Sequence, residues 1–119
     1  VWRDAGGAAR LLAAALPAAL ARRFAREGVA VELLDAETGG RADAERTAAA
    51  ARRAGAHWVV ADGYAFDPVW QRAVRDAGVG LACVDDDAQV GAYEADVVLD
   101  QNVDADPARY ARRTKHTRL

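Results

Sequence analysis

The sequence predicts an α/β fold, an open and mostly parallel sheet covered by helices on both faces. Three observations carry it. Short apolar runs end in polar residues, as buried parallel strands do. Acid-plus-proline pairs mark helix starts. Strand and helix signals alternate along nearly the whole chain, which is the pattern of a parallel sheet joined by crossover helices.

The elements are read in chain order. Ala8 to Ala14 has the composition of a helix, but between Gly6-Gly7 and a helix start at Pro17 it fits a strand better. Pro17 to Glu27 is expected to be helical, with Leu20, Ala21 and Phe24 inward and Gly28 closing it. Val29 to Leu34 reads as a strand, Thr38-Gly39-Gly40 as a flexible loop, and Ala42 to Ala54 as an alanine-rich helix stopped by Gly55. The second half is clearer. His57 to Asp62 is a strand, and Asp67 caps a helix beginning at Pro68. Trp70, Ala73, Val74 and Ala77 form one apolar face of that helix, and Gly78 ends it. Strand Gly80 to Asp85 completes a βαβ unit. Asp96 to Asp100 is a further strand, and Asp106-Pro107 starts a last helix containing Tyr110.

Composition limits what such a chain does. With 119 residues, 52% hydrophobic and 29% charged, it is one globular domain at most. No methionine is present, so a sequence opening Val1-Trp2-Arg3 is expected to be a piece of something longer. The 31 alanines, and 15 arginines against the single Lys115, read as base-composition bias and point to no function. Cys83 is the only cysteine and has no internal disulfide partner, so nothing points to an oxidising compartment. The apolar stretch Leu11 to Ala21 is broken by Pro17 and too short to span a bilayer, which makes a cytoplasmic protein the default.

Charge is segregated within the net −2. Between Val79 and Ala108 there are eight acids and no Lys or Arg; Arg109 to Leu119 carries five bases and no acid. The expected structure is a solvated acidic loop followed by a basic helix. Nucleic-acid binding is disfavoured, because eleven residues make no basic face and no aromatics alternate with the bases.

Ligands of open α/β sheets bind beyond the carboxyl ends of the strands. Three strand ends are polar there: Asp62, Gly63 and Tyr64; Asp85, Asp86 and Asp87; Asp100, Gln101 and Asn102. The Asp85-to-Asp87 run also fits an Asp-x-Asp metal site of the kind that holds Mn²⁺ or Mg²⁺ against a nucleotide diphosphate. A phosphoacceptor receiver domain is excluded by order: it needs an acidic pair after the first strand, an acceptor Asp two strands later and a Lys after the next, whereas the acidic pair comes late and the single Lys is Lys115. His57 opens its strand and points to the wrong edge, His116 has no evident partner, and Cys83 reads as a core residue. There is no Gly-x-Gly-x-x-Gly loop and no serine, so neither a dinucleotide loop nor a serine triad is present.

Four spaced stretches occur in order: Ala56-His57-Trp58-Val59-Val60-Ala61-Asp62-Gly63-Tyr64-x-Phe66, Trp70-Gln71-x-Ala73, Val84-Asp85-Asp86, and Tyr93-x-Ala95-Asp96-x-Val98-Leu99-Asp100-Gln101-Asn102. Together they resemble the UDP-2,4-diacetamido-2,4,6-trideoxy-β-L-altropyranose hydrolases of pseudaminic acid biosynthesis and the related spore-coat polysaccharide biosynthesis proteins. Upstream, Trp2-x-Asp4-Ala5-Gly6-Gly7 looks like the end of the family's first helix. The resemblance is strongest over residues 54–119.

It implies a GT-B architecture, in which residues 1–119 are a partial N-terminal Rossmann-like domain cut at both ends. It also implies hydrolysis of a UDP-linked amino sugar to UDP and free sugar, with no cofactor and no bound metal, the latter in competition with the Asp-x-Asp reading. Tyr64 matches a tyrosine facing the sugar, as a catalytic-support or binding residue. Asp62 and Gly63 would fix its turn, while the pairs Asp85-Asp86 and Gln101-Asn102 would line a cleft toward a C-terminal domain that holds the UDP. The family's general-base His lies in a loop upstream of Val1, so the chain alone is expected to be inactive, a loss of roughly 10²- to 10⁴-fold for an absent base. The alternatives are a glycosyltransferase of the same fold and a non-catalytic module that binds a nucleotide sugar.

Overall fold

A computed structural model describes residues 5–119, so the Trp2-to-Asp4 part of the resemblance lies outside the described residues. The chain divides into two compact units, Val1–Thr38 and Gly39–Leu119. No described helix is long and apolar enough to cross a membrane.

The first unit is a small βαβ. Strand β1 (Arg10–Ala13) and strand β2 (Ala30–Leu33) pair in parallel, Arg10 opposite Ala30, across helix α1 (Ala18–Arg26). The strand reading of the ambiguous Ala8-to-Ala14 stretch is the one adopted. None of the α1 residues is buried, and Leu20, expected to point inward, is exposed. Apart from Phe24 its other positions are all alanine or arginine, which leave little apolar surface to draw the helix down.

The second unit holds a three-stranded parallel sheet in the order β3-β4-β5, with β3 at Trp58–Asp62, β4 at Gly80–Val84 and β5 at Val97–Leu99. Helix α2 (Arg41–Ala54) ends on Gly55 in the left-handed conformation, as the sequence anticipates. Helix α3 (Pro68–Arg75) starts as anticipated, with the Asp67 carboxylate accepting from Trp70 N at 2.8 Å. Its inward face differs from the expected one. Trp70 and Val74 are buried, but Ala73 is exposed and Gln71 is fully buried. Gln71 Nε2 donates to Phe66 O (2.8 Å), and its Oε1 accepts from Glu94 N (2.7 Å) and Ala95 N (3.0 Å). The amide thereby satisfies main-chain groups that an alanine would leave bare.

One face of this sheet is core. Ala61, Leu81, Cys83 and Val98 join Ala44 and Ala51 of α2 and Trp70 and Val74 of α3 in a single apolar cluster. The other face is open: Trp58, Val60 and Leu99 are 48%, 66% and 50% exposed. The described strands pair as two parallel sheets, β1-β2 and β3-β4-β5. Within the larger sheet β4 reaches β5 through residues 85–96 with no helix between them. The crossover that would carry a helix onto the open face is a loop.

The basic helix expected after Asp106-Pro107 is also not formed. A single 3₁₀ turn covers Pro107–Tyr110, and the chain then follows residues 93–98 through two isolated parallel bridges, Tyr93 to Arg113 and Val97 to Arg118, with a turn at residues 115–116 between them. Tyr93 N donates to Arg112 O, Thr114 N to Tyr93 O and Val98 N to Arg118 O. These main-chain bonds replace the ones a helix would make.

The Thr38-Gly39-Gly40 loop touches the turn after β3. Gly39 has φ +77°, and a Cβ there would overlap the carbonyl of Ala65. Gly39→Ala should therefore cost about 1–3 kcal/mol, through overpacking and the left-handed backbone together. Urea unfolding checks this, with Gly6→Ala, which has open space at a similar φ, as the milder control.

Candidate functional site

The carboxyl end of the second sheet collects side chains from all three strand ends. Its framework is Asp85, directly after β4. The carboxylate is 1% exposed. Oδ1 accepts from Asp87 N (3.1 Å) and Gln89 N (3.3 Å), while Oδ2 accepts from Val90 N (3.2 Å) and Tyr93 Oη (2.6 Å). Burial pushes this carboxyl up, but the bonds from Tyr93 and from the three amides outweigh burial and hold it below the usual carboxylate range. The loop wraps so tightly around it that Ala88 adopts a positive φ of 52°. Burial and the hydrogen bond to Asp85 push Tyr93 far above an ordinary phenol.

The Asp85 backbone is fixed as well. Its N–H donates to Leu99 O (3.1 Å), and its carbonyl lies 2.8 Å from Tyr110 Oη, which is also 2.7 Å from Asp100 Oδ2. Asp100 accepts from Asn102 N at 2.9 Å. That bond and the Tyr110 hydroxyl hold Asp100 below the usual range. Asp85 is therefore expended on the protein and presents no free oxygen to a ligand.

The outward-facing groups are Tyr64, Asp86 and Asn102. Tyr64 stands on the turn after β3, where Gly63 takes φ +131°, a conformation that favours glycine. Tyr64 Oη donates to Asp86 Oδ1 at 2.6 Å, and Asn102 Nδ2 donates to Asp86 O at 2.7 Å. The three predicted strand ends thus meet through one residue each. The hydrogen bond to Asp86 pushes the Tyr64 phenol up to about 12, with the neighbouring acids adding to it. Tyr64 is half-exposed.

Other predicted residues stand apart. Asp62 is exposed and makes no hydrogen bond among the described residues, so it does not fix the Tyr64 turn. That turn is set by Gly63, by Asp67 N donating to Ala65 O, by Gln71 holding Phe66 O, and by the Phe66 ring against Trp70 at 4.5 Å. Gln101 is exposed and does not join the Tyr64–Asp86–Asn102 group.

Asp87, the other half of the Asp-x-Asp pattern, is taken by Arg109, whose Nη2 lies 2.7 Å from Oδ1 and 2.6 Å from Asp87 O. Arg109, and then Gln89, hold Asp87 below the usual range. Among the described residues no group of three or more His, Cys, Asp or Glu could hold a metal ion. Burial, and then the Asp85 charge, push the Cys83 thiol up to about 12, so it is no nucleophile at neutral pH.

Arg109, Tyr93 and Tyr110 were not legible as site residues. The only sequence hint is that the basic run begins where the acidic one ends, which permits a pairing such as Arg109 with Asp87. Both histidines lie at the other end of the sheet. His57 precedes β3, and His116 adjoins Thr117, whose Oγ1 donates to Ala95 O just before β5.

Comparison with protein-family models, with curated proteins and with solved structures finds no match to this chain.

The Tyr64–Asp86 bond can be tested alone. In ¹³C-tyrosine NMR, Tyr64 should remain protonated at pH about 10, where an ordinary tyrosine is half ionised. Asp86→Asn should return its midpoint toward that value. A wild-type midpoint near 10 would show that the bond is not made.

Proposed function

We propose that the carboxyl edge of β3, β4 and β5 is the sugar-facing wall of a nucleotide-sugar hydrolase, one that cleaves a UDP-linked amino sugar to UDP and free sugar in surface-glycan biosynthesis. The observation that carries this reading is the convergence of Tyr64, Asp86 and Asn102 from three successive strand ends. The edge is also where open α/β sheets bind ligands.

The chemistry of the group supports a sugar over a phosphate. The Tyr64 proton is committed to Asp86, so the phenolic oxygen offers its lone pairs outward. Asp86 Oδ2 and the Asn102 side-chain carbonyl add two more acceptors. Acceptors of this kind take hydroxyl and amide N–H donors, which an acetamido sugar supplies in number. A diphosphate brings only acceptors and negative charge, and Arg109, the cation of this edge, is already paired with Asp87. In this reading the diphosphate is held by a separate domain, and Tyr64 orients sugar or water without acting as an acid. With both histidines at the opposite end of the sheet, the edge has no imidazole to take a proton from water.

The chain should therefore bind sugar without turnover. In ¹⁵N NMR titrations, an N-acetylated amino sugar is expected to shift the amides of Gly63, Tyr64, Asp86 and Asn102, whereas UDP leaves them in place. Tyr64→Phe should weaken that binding about tenfold, the value of one well-placed hydrogen bond. A coupled assay should detect no UDP release from a UDP-linked acetamido sugar. Shifts caused by UDP and not by sugar would overturn the assignment of this edge.

A further inference from the structure

Asp43, on the first turn of α2, takes no part in the carboxyl-edge group and is nonetheless buried, at 5% exposure. Its Oδ2 accepts from Gly39 N at 2.7 Å, and its Oδ1 accepts from the Thr47 hydroxyl at 3.0 Å. Thr47 is buried as well. The N-cap residue, Gly40, offers no side chain to the helix start, so capping is the plain reading of an acid at this position. Capping alone does not require burial, since an exposed carboxylate makes the same bond without losing its water. What burial adds is a fixed place for Gly39.

Gly39 is pressed in turn against the residue that follows Tyr64. A Cβ on Gly39 would come within 2.1 Å of Ala65 O and 2.8 Å of Ala65 C, so the two main chains touch directly. The Ala65 carbonyl also accepts from Asp67 N at 3.2 Å, at the start of α3. The Tyr64 turn is therefore held from α3 by hydrogen bonds and from the α2 side by close contact. That contact lasts only while Gly39 stays where it is. Among the described residues, the side chain bonded to Gly39 N is that of Asp43.

We infer that Asp43 is a positioning residue for Tyr64: by fixing Gly39 it fixes the Ala65 carbonyl, and so keeps the Tyr64 hydroxyl within bonding distance of Asp86. Its importance for function rests on the reading of Tyr64 as a ligand-facing residue. The role is one of geometry and not of charge. An amide in place of the carboxylate keeps both contacts, because its oxygen accepts from Gly39 N while its nitrogen donates to the Thr47 oxygen, and a hydroxyl accepts as readily as it donates. An alanine keeps neither.

The test follows Tyr64 through its titration by ¹³C-tyrosine NMR of the whole chain, with the affinity for an N-acetylated amino sugar read at neutral pH. Asp43→Ala should bring the Tyr64 midpoint down from about 12 toward an ordinary tyrosine value of about 10, and weaken sugar binding about tenfold. Asp43→Asn should restore both. Ala51→Gly, which loosens α2 about two turns away from Asp43, should leave both unchanged. Gly39→Ala guards against a failure of Asp43→Ala to fold: it presses on the Ala65 carbonyl directly and should lower the Tyr64 midpoint in the same direction. A midpoint that stays near 12 in Asp43→Ala or Gly39→Ala, one that Asp43→Asn does not restore, or one that falls as far in Ala51→Gly would overturn the inference. If the wild type binds no sugar, the reading of the edge falls, and the Tyr64 midpoints still decide the role of Asp43.

Discussion

Parallel strands are ordinarily joined by a helix, and β4 and β5 are joined by a loop whose order depends on one buried carboxylate. Asp85 occupies the place where a helix N-terminus would otherwise gather main-chain N–H groups. It gathers those of Asp87, Gln89 and Val90 itself, together with the Tyr93 hydroxyl. Four donors around one charge offset the cost of its burial; one donor fewer would leave a desolvated carboxylate underpaired. The far end of the loop is pinned by Gln71, and by Asp96, whose Oδ2 accepts from Leu81 N while its Oδ1 pairs with Arg75.

That arrangement determines what reaches the surface. Because Asp85 turns inward, Asp86 is directed outward, where it accepts the Tyr64 proton and, through its carbonyl, the Asn102 amide. Asp87 follows outward to Arg109. Three consecutive aspartates therefore do three different jobs, one internal scaffold, one outward-facing acceptor and one tie to the 3₁₀ turn. Their separation of roles comes from the turn geometry and not from any difference in side-chain chemistry.

Much of the fold was legible because it rests on local chemistry. The Asp67-Pro68 start, the Gly55 stop and the short valine-rich strands all declare themselves within a few residues. The placement of Tyr64, Asp86 and Asn102 at one edge follows from the strand-end rule and the parallel order. What was not legible depends on distant partners. Gln71 sits where helical periodicity asks for an apolar residue, and only the bare amides of Glu94 and Ala95 explain it. The basic segment after Tyr110 has helical composition, yet main-chain hydrogen bonds to residues 93–98 hold it as two bridged stretches with a turn between them. Nothing in an acidic run distinguishes the buried Asp85 from its exposed neighbours.

Asp85, as a charged acceptor, holds the carboxyl edge of the sheet together. Its folded-state pKa is depressed, so its contribution is present above the ordinary carboxyl value of about 4 and is lost as the pH falls through the lower folded value. The direct measurement is unfolding free energy against pH for wild type and Asp85→Asn, with amide hydrogen exchange at Asp87, Gln89 and Val90. Asp85→Asn should lose about 2–3 kcal/mol at neutral pH, a difference that shrinks on acidification, and should exchange faster at those three amides. Equal stability with unchanged exchange would contradict it.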